Sequence, residues 1–142
     1  MSGLEVFGAV AAAATLLELA RKCHSRLERN ENVHRDIKAL QQRVGVLTDT
    51  VTQVSNVLSD IRSQHDGQPQ VTEAEKVIWY RMDAVLKLCH DKLAELDDRL
   101  DQILSKGSRT KLSVVPSDIA RRTRDLKNYV QALNMLKDLF QL

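Results

Sequence analysis

Aromatic side chains are scarce in this chain of 142 residues: Phe7, Trp79, Tyr80, Tyr129 and Phe140 are all it has. Aliphatics and alanine carry the apolar content beside many Lys, Arg, Asp, Glu and Gln, a mixture that belongs to long helices and not to sheets. Glycine and proline number five and two, so few positions punctuate the chain. The two cysteines, Cys23 and Cys89, stand far apart among apolar neighbours. They form no disulfide framework and fit core packing in a reducing, cytosolic compartment. Positive charge is missing before the first apolar run, where Glu5 is the only early charge, and that excludes a secretory signal. Nor is any net charge of note present: the formal value is +2, which points to no partner class.

Catalytic and ligand patterns are absent as well. His24, His34, His65 and His90 are scattered, with no HExxH or CxxC spacing. Cys89 and His90 are adjacent, so on a helix their side chains diverge by about 100° and make poor joint ligands. No phosphate loop, GxSxG or paired-carboxylate motif occurs, so neither an enzyme nor a cofactor or metal site is expected. Asp97, Asp98 and Asp101 with Arg99 read as a solvated acidic face. Nucleic-acid binding lacks a strong basic excess and exposed sheet aromatics.

What the chain does have begins at residues 3–20, GLEVFGAVAAAATLLELA. Ser2 and Glu5 have capping-box spacing, and Ala11, Ala12, Ala13 and Ala14 favour helix strongly. Residues 6–17 are uncharged, with Thr15 their only hydrogen-bonding side chain. A helix apolar nearly all round must be buried, in a core or in a membrane. Twelve uncharged residues fall short of the roughly 20 needed to span a bilayer, which makes this a core helix at rest. It should continue through Arg21, Lys22, Cys23, Arg26 and Leu27, and then either break near Arg29-Asn30-Glu31-Asn32 or, with no Gly or Pro there, bend on as one helix.

Val33, Ile37, Leu40, Val44, Leu47, Val51, Val54, Leu58 and Ile61 then step by four and three, a heptad seam of bundle type. Val46 and Val57 should widen its stripe. Residues 63–70 read as a loop around Asp66-Gly67 and Pro69. Thr72 and Glu75 open a third helix as a second capping box. Its predicted seam is Ile78, Met82, Val85, Cys89, Leu93, Leu96, Leu100 and Ile103, with Trp79 partly buried against a neighbour. Gly107 ends that helix, and Leu112–Val115 reads as a short strap or extra element around 108–116. Ser117 caps a last helix whose apolar face holds Ile119, Leu126, Val130, Leu133 and Phe140, with Tyr129 and Leu136 beside it. The prediction is an all-α, antiparallel four-helix bundle with helices at about 3–29, 32–63, 72–105 and 117–141, the first most deeply buried. Residues 1–142 form one domain, expected to be the N-terminal part of a longer protein.

Residues 107–142 hold seven Lys/Arg against three Asp/Glu, and residues 71–106 six against eight. The basic end gathers Arg121, Arg122, Arg124 and Lys127, either a solvated helix face or an anionic-lipid patch.

The order of features resembles a known family. An apolar, Ala-rich helix starts almost at Met1 and leads to a basic stretch ending in Cys23-His24. A heptad helix, RDIKALQQRVGVLTDTVTQVSNVL, and a helix carrying LKLCHDKLAELDDRLDQIL follow. This is similar to the HeLo-like N-terminal domains of fungal STAND (NLR-type) proteins, and covers residues 1–105 best. Related bundles are the executioner domain of the mixed-lineage kinase-like pseudokinase and plant resistance-protein coiled-coil domains. The segment 106–115 and the Arg-rich last helix match less well.

The resemblance implies a cell-death or innate-immunity domain, as in heterokaryon incompatibility, followed by a nucleotide-binding domain. It implies a cytoplasmic protein that homo-oligomerises on activation, moves to the plasma membrane and permeabilises it. Carried onto this chain, the inserting residues are Leu4, Val6, Phe7, Val10, Leu16 and Leu17, with Gly8 and Ala12 as a small-residue contact surface. Arg21, Lys22, Arg26 and Arg29 stand where they could hold anionic headgroups. The alternative is a docking or oligomerisation module whose first helix never leaves the core, and a weaker one is an unrelated scaffold bundle.

Overall fold

The computed structural model of the protein describes residues 2–29, 35–65, 72–105 and 116–141, and within them all side chains except those at 2–7, 35–36, 65, 103–105 and 116–119. They form four helices and no strand: α1 (Ser2–Arg29), α2 (Arg35–His65), α3 (Glu73–Ser105) and α4 (Pro116–Phe140). The proposed strap around 108–116 falls almost wholly outside the described residues, as does the break near Asn30 and Asn32. Two boundaries move. Ser63, Gln64 and His65 belong to α2 and not to a loop, and Pro116, whose missing N–H costs nothing in a first helical turn, begins α4 one residue early. At the start of α3 the Glu75 amide donates to Thr72 Oγ1 at 3.2 Å, half of the expected capping box.

The heptad seam of α2 is buried throughout its described middle, from Ile37, Leu40 and Val44 through Leu47, Val51 and Val54 to Leu58. Each such side chain contributes on the order of 2 kcal/mol relative to exposure. Thr48 and Thr52, polar and β-branched in the same helix, return their hydroxyls to Val44 O and Thr48 O, both at 2.8 Å. Val57 is half-buried as expected, but Val46 is exposed: the seam is wide on one side only.

Helix α3 departs from its predicted register at its start. Met82 is buried as expected, but Trp79 and Leu86 are the buried residues on either side of it, with Ile78 and Val85 half-buried beside them. Trp79 is 1% exposed, not partly buried, and meets the Phe140 ring of α4 at 4.7 Å between centroids and a 58° tilt, a favourable aromatic geometry. From Cys89 through Leu93, Leu96 and Leu100 the expected seam holds. In α4, Leu126, Leu133 and Leu136 are buried, and Tyr129, Val130 and Phe140 pack against the core.

Consecutive helices run antiparallel. Among the described residues α1 packs on α2 and α3, and α4 packs on the same two. So α2 and α3, consecutive in the chain, face each other across the diagonal. Helices α1 and α3 run parallel as neighbours, since Gly8 lies beside Asp83 and Arg26 beside Asp97. Helices α3 and α4 run antiparallel, with Trp79 on Phe140 and Glu95 beside Arg122.

Helix α1 is not enclosed on all sides. Ala9, Ala13, Leu16, Ala20, Cys23 and Leu27 are buried, whereas Ala11, Ala14, Thr15 and Glu18 are exposed. Each helix of a four-cornered bundle covers two flanks only, and alanine loses little by facing water.

Candidate functional site

The parallel α1/α3 interface holds Gly8, Ala12, Lys22 and Arg26 of the residues singled out from sequence. Its lower half is built of small side chains. Gly8 and Ala12 are half-buried and, with Ala11 and Thr15, line a groove of about 390 Å³ against Leu86, Lys87 and His90 of α3. They line its α1 side, opposite α3. Of the remaining insertion candidates Leu16 is fully buried, and Val10 and Leu17 pack partly against the core. The side chains of Leu4, Val6 and Phe7 lie outside the described residues. Thr15 returns its hydroxyl to Ala11 O at 2.9 Å, so the one polar side chain of the apolar run is satisfied inside its own helix.

Beside Gly8 stands Asp83 of α3. Its Oδ2 pairs with Lys87 Nζ at 2.9 Å, but its Oδ1 is buried with no hydrogen-bond partner among the described residues. A Cβ at Gly8 would sit 3.6 Å from that oxygen.

The upper half of the interface is organised by Asp97. Sequence placed it on a solvated face, yet it is only 7% exposed. The reason is its place on the α1 flank of α3, where three residues of α1 converge on it. Lys22 Nζ lies 3.4 Å from Oδ2 and Arg26 Nη1 3.2 Å from Oδ1, and the Cys23 thiol donates to Oδ1 at 3.6 Å. Arg26 also donates to the Asp97 carbonyl at 3.0 Å and lies 3.6 Å from Asp101. Burial first, then the neighbouring Asp97 charge and its hydrogen bond, push the Cys23 thiol up to about 12, against the opposing pull of Arg26 and Lys22. Burial alone does the same to Cys89, also to about 12. Both are unreactive thiols at neutral pH. Asp98 and Asp101 remain solvated, as expected.

The two basic segments stand at the same end of the bundle on diagonal corners, because α1 finishes where α4 begins. The acidic third of α3 runs between them. Glu95 reaches Arg122 of α4 at 3.8 Å, much as Asp97 reaches Lys22 and Arg26 of α1. Of the anionic-lipid candidates, Arg26 is 21% and Arg122 19% exposed at the side chain. Arg21, Lys22, Arg29, Arg121, Arg124 and Lys127 are exposed, with Arg29 Nε donating to Ser25 O at 3.4 Å. Lys22 and Arg26 are thus already engaged by Asp97. No signal in the sequence marked Asp83 or Asp97, which look like any surface carboxylate until the neighbouring helix is in place.

A second concave surface lies between α3 and α4, about 480 Å³ in volume. Tyr80 (71% exposed) and Met135 (68%) flank it, with Ala84, Ala132 and Gln131 in its lining. Val77 and Leu88, both exposed, continue the α3 stripe by helical spacing, as Leu139 does that of α4. Arg81 is the one charge among the described residues that line the groove.

No helix among the described residues is long and apolar enough to cross a membrane. Among them, no cluster of three His, Cys, Asp or Glu side chains could hold a metal ion. No protein-family model, curated protein or solved structure matches the chain.

Proposed function

We propose that this bundle is a membrane-acting effector domain of the NLR type, working in cell death or innate immunity. In this reading copies assemble on activation, and α1 passes from its corner of the bundle into the bilayer and permeabilises it. A nucleotide-binding domain farther along the full-length protein would control that step from the cytoplasm. The observation that carries the reading is the seat of α1. Among the described side chains of its first half, Gly8 and Ala12 line the groove against α3 and Ala9 and Ala13 are buried in the core; these bury little area, so lipid replaces what they forfeit on leaving. The internally bonded Thr15 adds no unpaired group to that transfer. Twelve uncharged residues between Glu5 and Glu18 span less than a bilayer, so several copies must cooperate. Arg21 and Arg29, exposed at the helix end, suit anionic headgroups.

The test is dye release from anionic and from neutral liposomes by the purified protein. The exposed position of Ala14 provides the useful variant. Ala14→Glu should keep the bundle folded by circular dichroism while placing a charge on the face that must enter lipid. Release from anionic liposomes that Ala14→Glu and deletion of residues 1–20 both abolish is the expected result. Release that persists in Ala14→Glu, or none from any liposome, removes the membrane role of α1.

The α3/α4 groove favours a second reading, a docking module whose α1 stays in place. A stripe of Val77, Ala84 and Leu88 opposite Met135 and Leu139, with Arg81 between them, fits an amphipathic helix bearing one acidic residue on its apolar face. Under this reading no liposome leaks, and Met135→Glu abolishes activity of the full-length protein.

A further inference from the structure

We infer that two copies of this chain pair at rest through the α3/α4 groove, antiparallel about a two-fold axis that crosses the helices at Ala84. Among the described residues six large apolar side chains are exposed, and five of them stand on this one face: Val77, Tyr80 and Leu88 of α3, Met135 and Leu139 of α4. Apolar residues scattered singly need no partner, but a contiguous patch marks a contact. This patch lies across the bundle from the α1/α2 flank, so a copy seated on it leaves α1 where it is.

The polar groups of the groove say what covers it. Trp79 on Phe140 and Glu95 beside Arg122 fix the heights of α3 and α4 against each other. Counted from those contacts, Met135 stands level with Ala84, and Gln131 stands one turn farther along, level with Lys87. On one side of Ala84 the lining carries a donor, Arg81; on the other it carries the amides of Gln131 and Asn128. A half-turn about an axis through Ala84, perpendicular to the helices, exchanges the two sides. Arg81 of each copy then lies on Gln131 of the other, whose side-chain oxygen accepts from the guanidinium. Tyr80 comes over the other copy's Leu88, and the small Ala84 at the crossing lets the helices close together. A two-fold along the groove would instead keep every height and set Arg81 against its own copy, two like charges in a closing gap. An isologous contact has to be self-complementary, and of these axes the antiparallel one makes it so. A foreign helix bearing an acid answers Arg81 but returns nothing to Gln131, whereas a second copy serves both.

The overlap runs over residues 77–91 of α3, about 22 Å of length by two helix widths of about 10 Å. That amounts to on the order of 1,000 Å² over both copies, the low end for a specific pair, which places dissociation in the micromolar range. The pairing needs neither membrane nor activation, and it competes with a docking helix for the same groove.

Sedimentation equilibrium of the full chain, without lipid, tests it. The mass should rise from 16.1 kDa towards twice that value as the concentration passes through the micromolar range. Met135→Glu brings two like charges together beside the axis and should weaken pairing by at least about fiftyfold. In dilute solution, where the wild type is also a single chain, its melt should match that of the wild type. Gln131→Glu should tighten pairing by about threefold or more, because Arg81 then meets a carboxylate. A short bismaleimide should join Ala84→Cys to its own copy but not Val77→Cys, which lies about 21 Å from its copy along the helices. The native Cys23 and Cys89 are buried and stay silent in that reaction. A single-chain mass up to about 1 mM, where even weak pairs form, overturns the inference and leaves the groove to a docking helix. A pair that Met135→Glu leaves intact forms by another face, and that result overturns it too. So does cross-linking at Val77 with none at Ala84, or pairing that Gln131→Glu weakens, since either puts the copies on a different axis. Leakage of liposomes plays no part in these outcomes, so the pairing and the membrane reading stand or fall separately.

Discussion

The thiol of Cys23 and the carboxylate of Asp97 meet at 3.6 Å although 74 residues separate them in the chain. Arg26 and Lys22 complete the contact, so Asp97 joins α1 to α3 by three side chains. Asp97→Ala leaves those groups without their acceptor and should lower stability by about 2 kcal/mol, a value held down by the water that reaches Lys22. Asp101→Ala, at a solvated carboxylate, should stay within about 0.5 kcal/mol. Urea denaturation of the two variants, with unchanged slopes, checks both values.

The cysteines bear on alkaline stability. Both have folded-state pKa values near 12 against an ordinary 9.0. The protonated thiol therefore favours the folded chain, a contribution fully present below pH 9 and lost as pH rises towards 12. Each cysteine should subtract about 1.4 kcal/mol per pH unit across that window. Cys89→Ala should be less stable at neutral pH yet show the shallower decline. At pH 7 neither thiol should react with a disulfide reagent until the chain unfolds.

Trp79 reports on the far end of the bundle. Its ring lies 4.7 Å from that of Phe140, the last residue of α4. Phe140→Ala should cost about 2–3 kcal/mol and shift tryptophan emission to the red as water reaches the indole. An emission spectrum unchanged from wild type would show that α4 has no hold on Trp79.

Two helical glycines should respond differently to alanine. A Cβ at Gly8 meets Asp83 at an ordinary 3.6 Å, whereas one at Gly45 comes within 3.3 Å of His24 Nε2. Gly8→Ala should stabilise by about 1 kcal/mol, the helix-propensity difference. Gly45→Ala should gain less, because the imidazole must move. Thermal melts of the pair rank them.

Surface charge on the α3/α4 groove should be tolerated. Tyr80→Glu and Met135→Glu alter side chains that are mostly exposed and should shift stability by no more than about 0.5 kcal/mol. A larger loss in either melt would mean that the groove is part of the core.

Most of the fold is legible in the sequence because its periodicity is unambiguous where one apolar residue occupies each step. Around Val51 and Val54 a single apolar residue stands at each step, and both are buried. Ile78-Trp79 and Val85-Leu86 offer two apolar residues side by side. There the tie is broken by which helix lies across the interface, information no spacing contains. The alanines of α1 mislead differently. Hydropathy marks Ala11 and Ala14 as core, but so small a side chain is nearly indifferent to water, and the structure exposes both. The site was least legible of all. Lys22, Arg26 and Arg122 stand out as bases for a lipid patch, but their partners Asp97 and Glu95 lie some 70 or 27 residues away and carry no local mark.

The diagonal placement of α2 and α3 also dictates an order of assembly. The α1/α2 and α3/α4 pairs are hairpins of adjacent chain segments and can form early, each at small loop-closure cost. What joins them is distant in sequence: Arg26 to Asp97 is 71 residues, and Lys137 to Gln53 is 84. The slow step in folding should therefore be the docking of the two hairpins. Asp97 belongs to that late event, so its substitution should speed unfolding and leave the refolding rate nearly untouched.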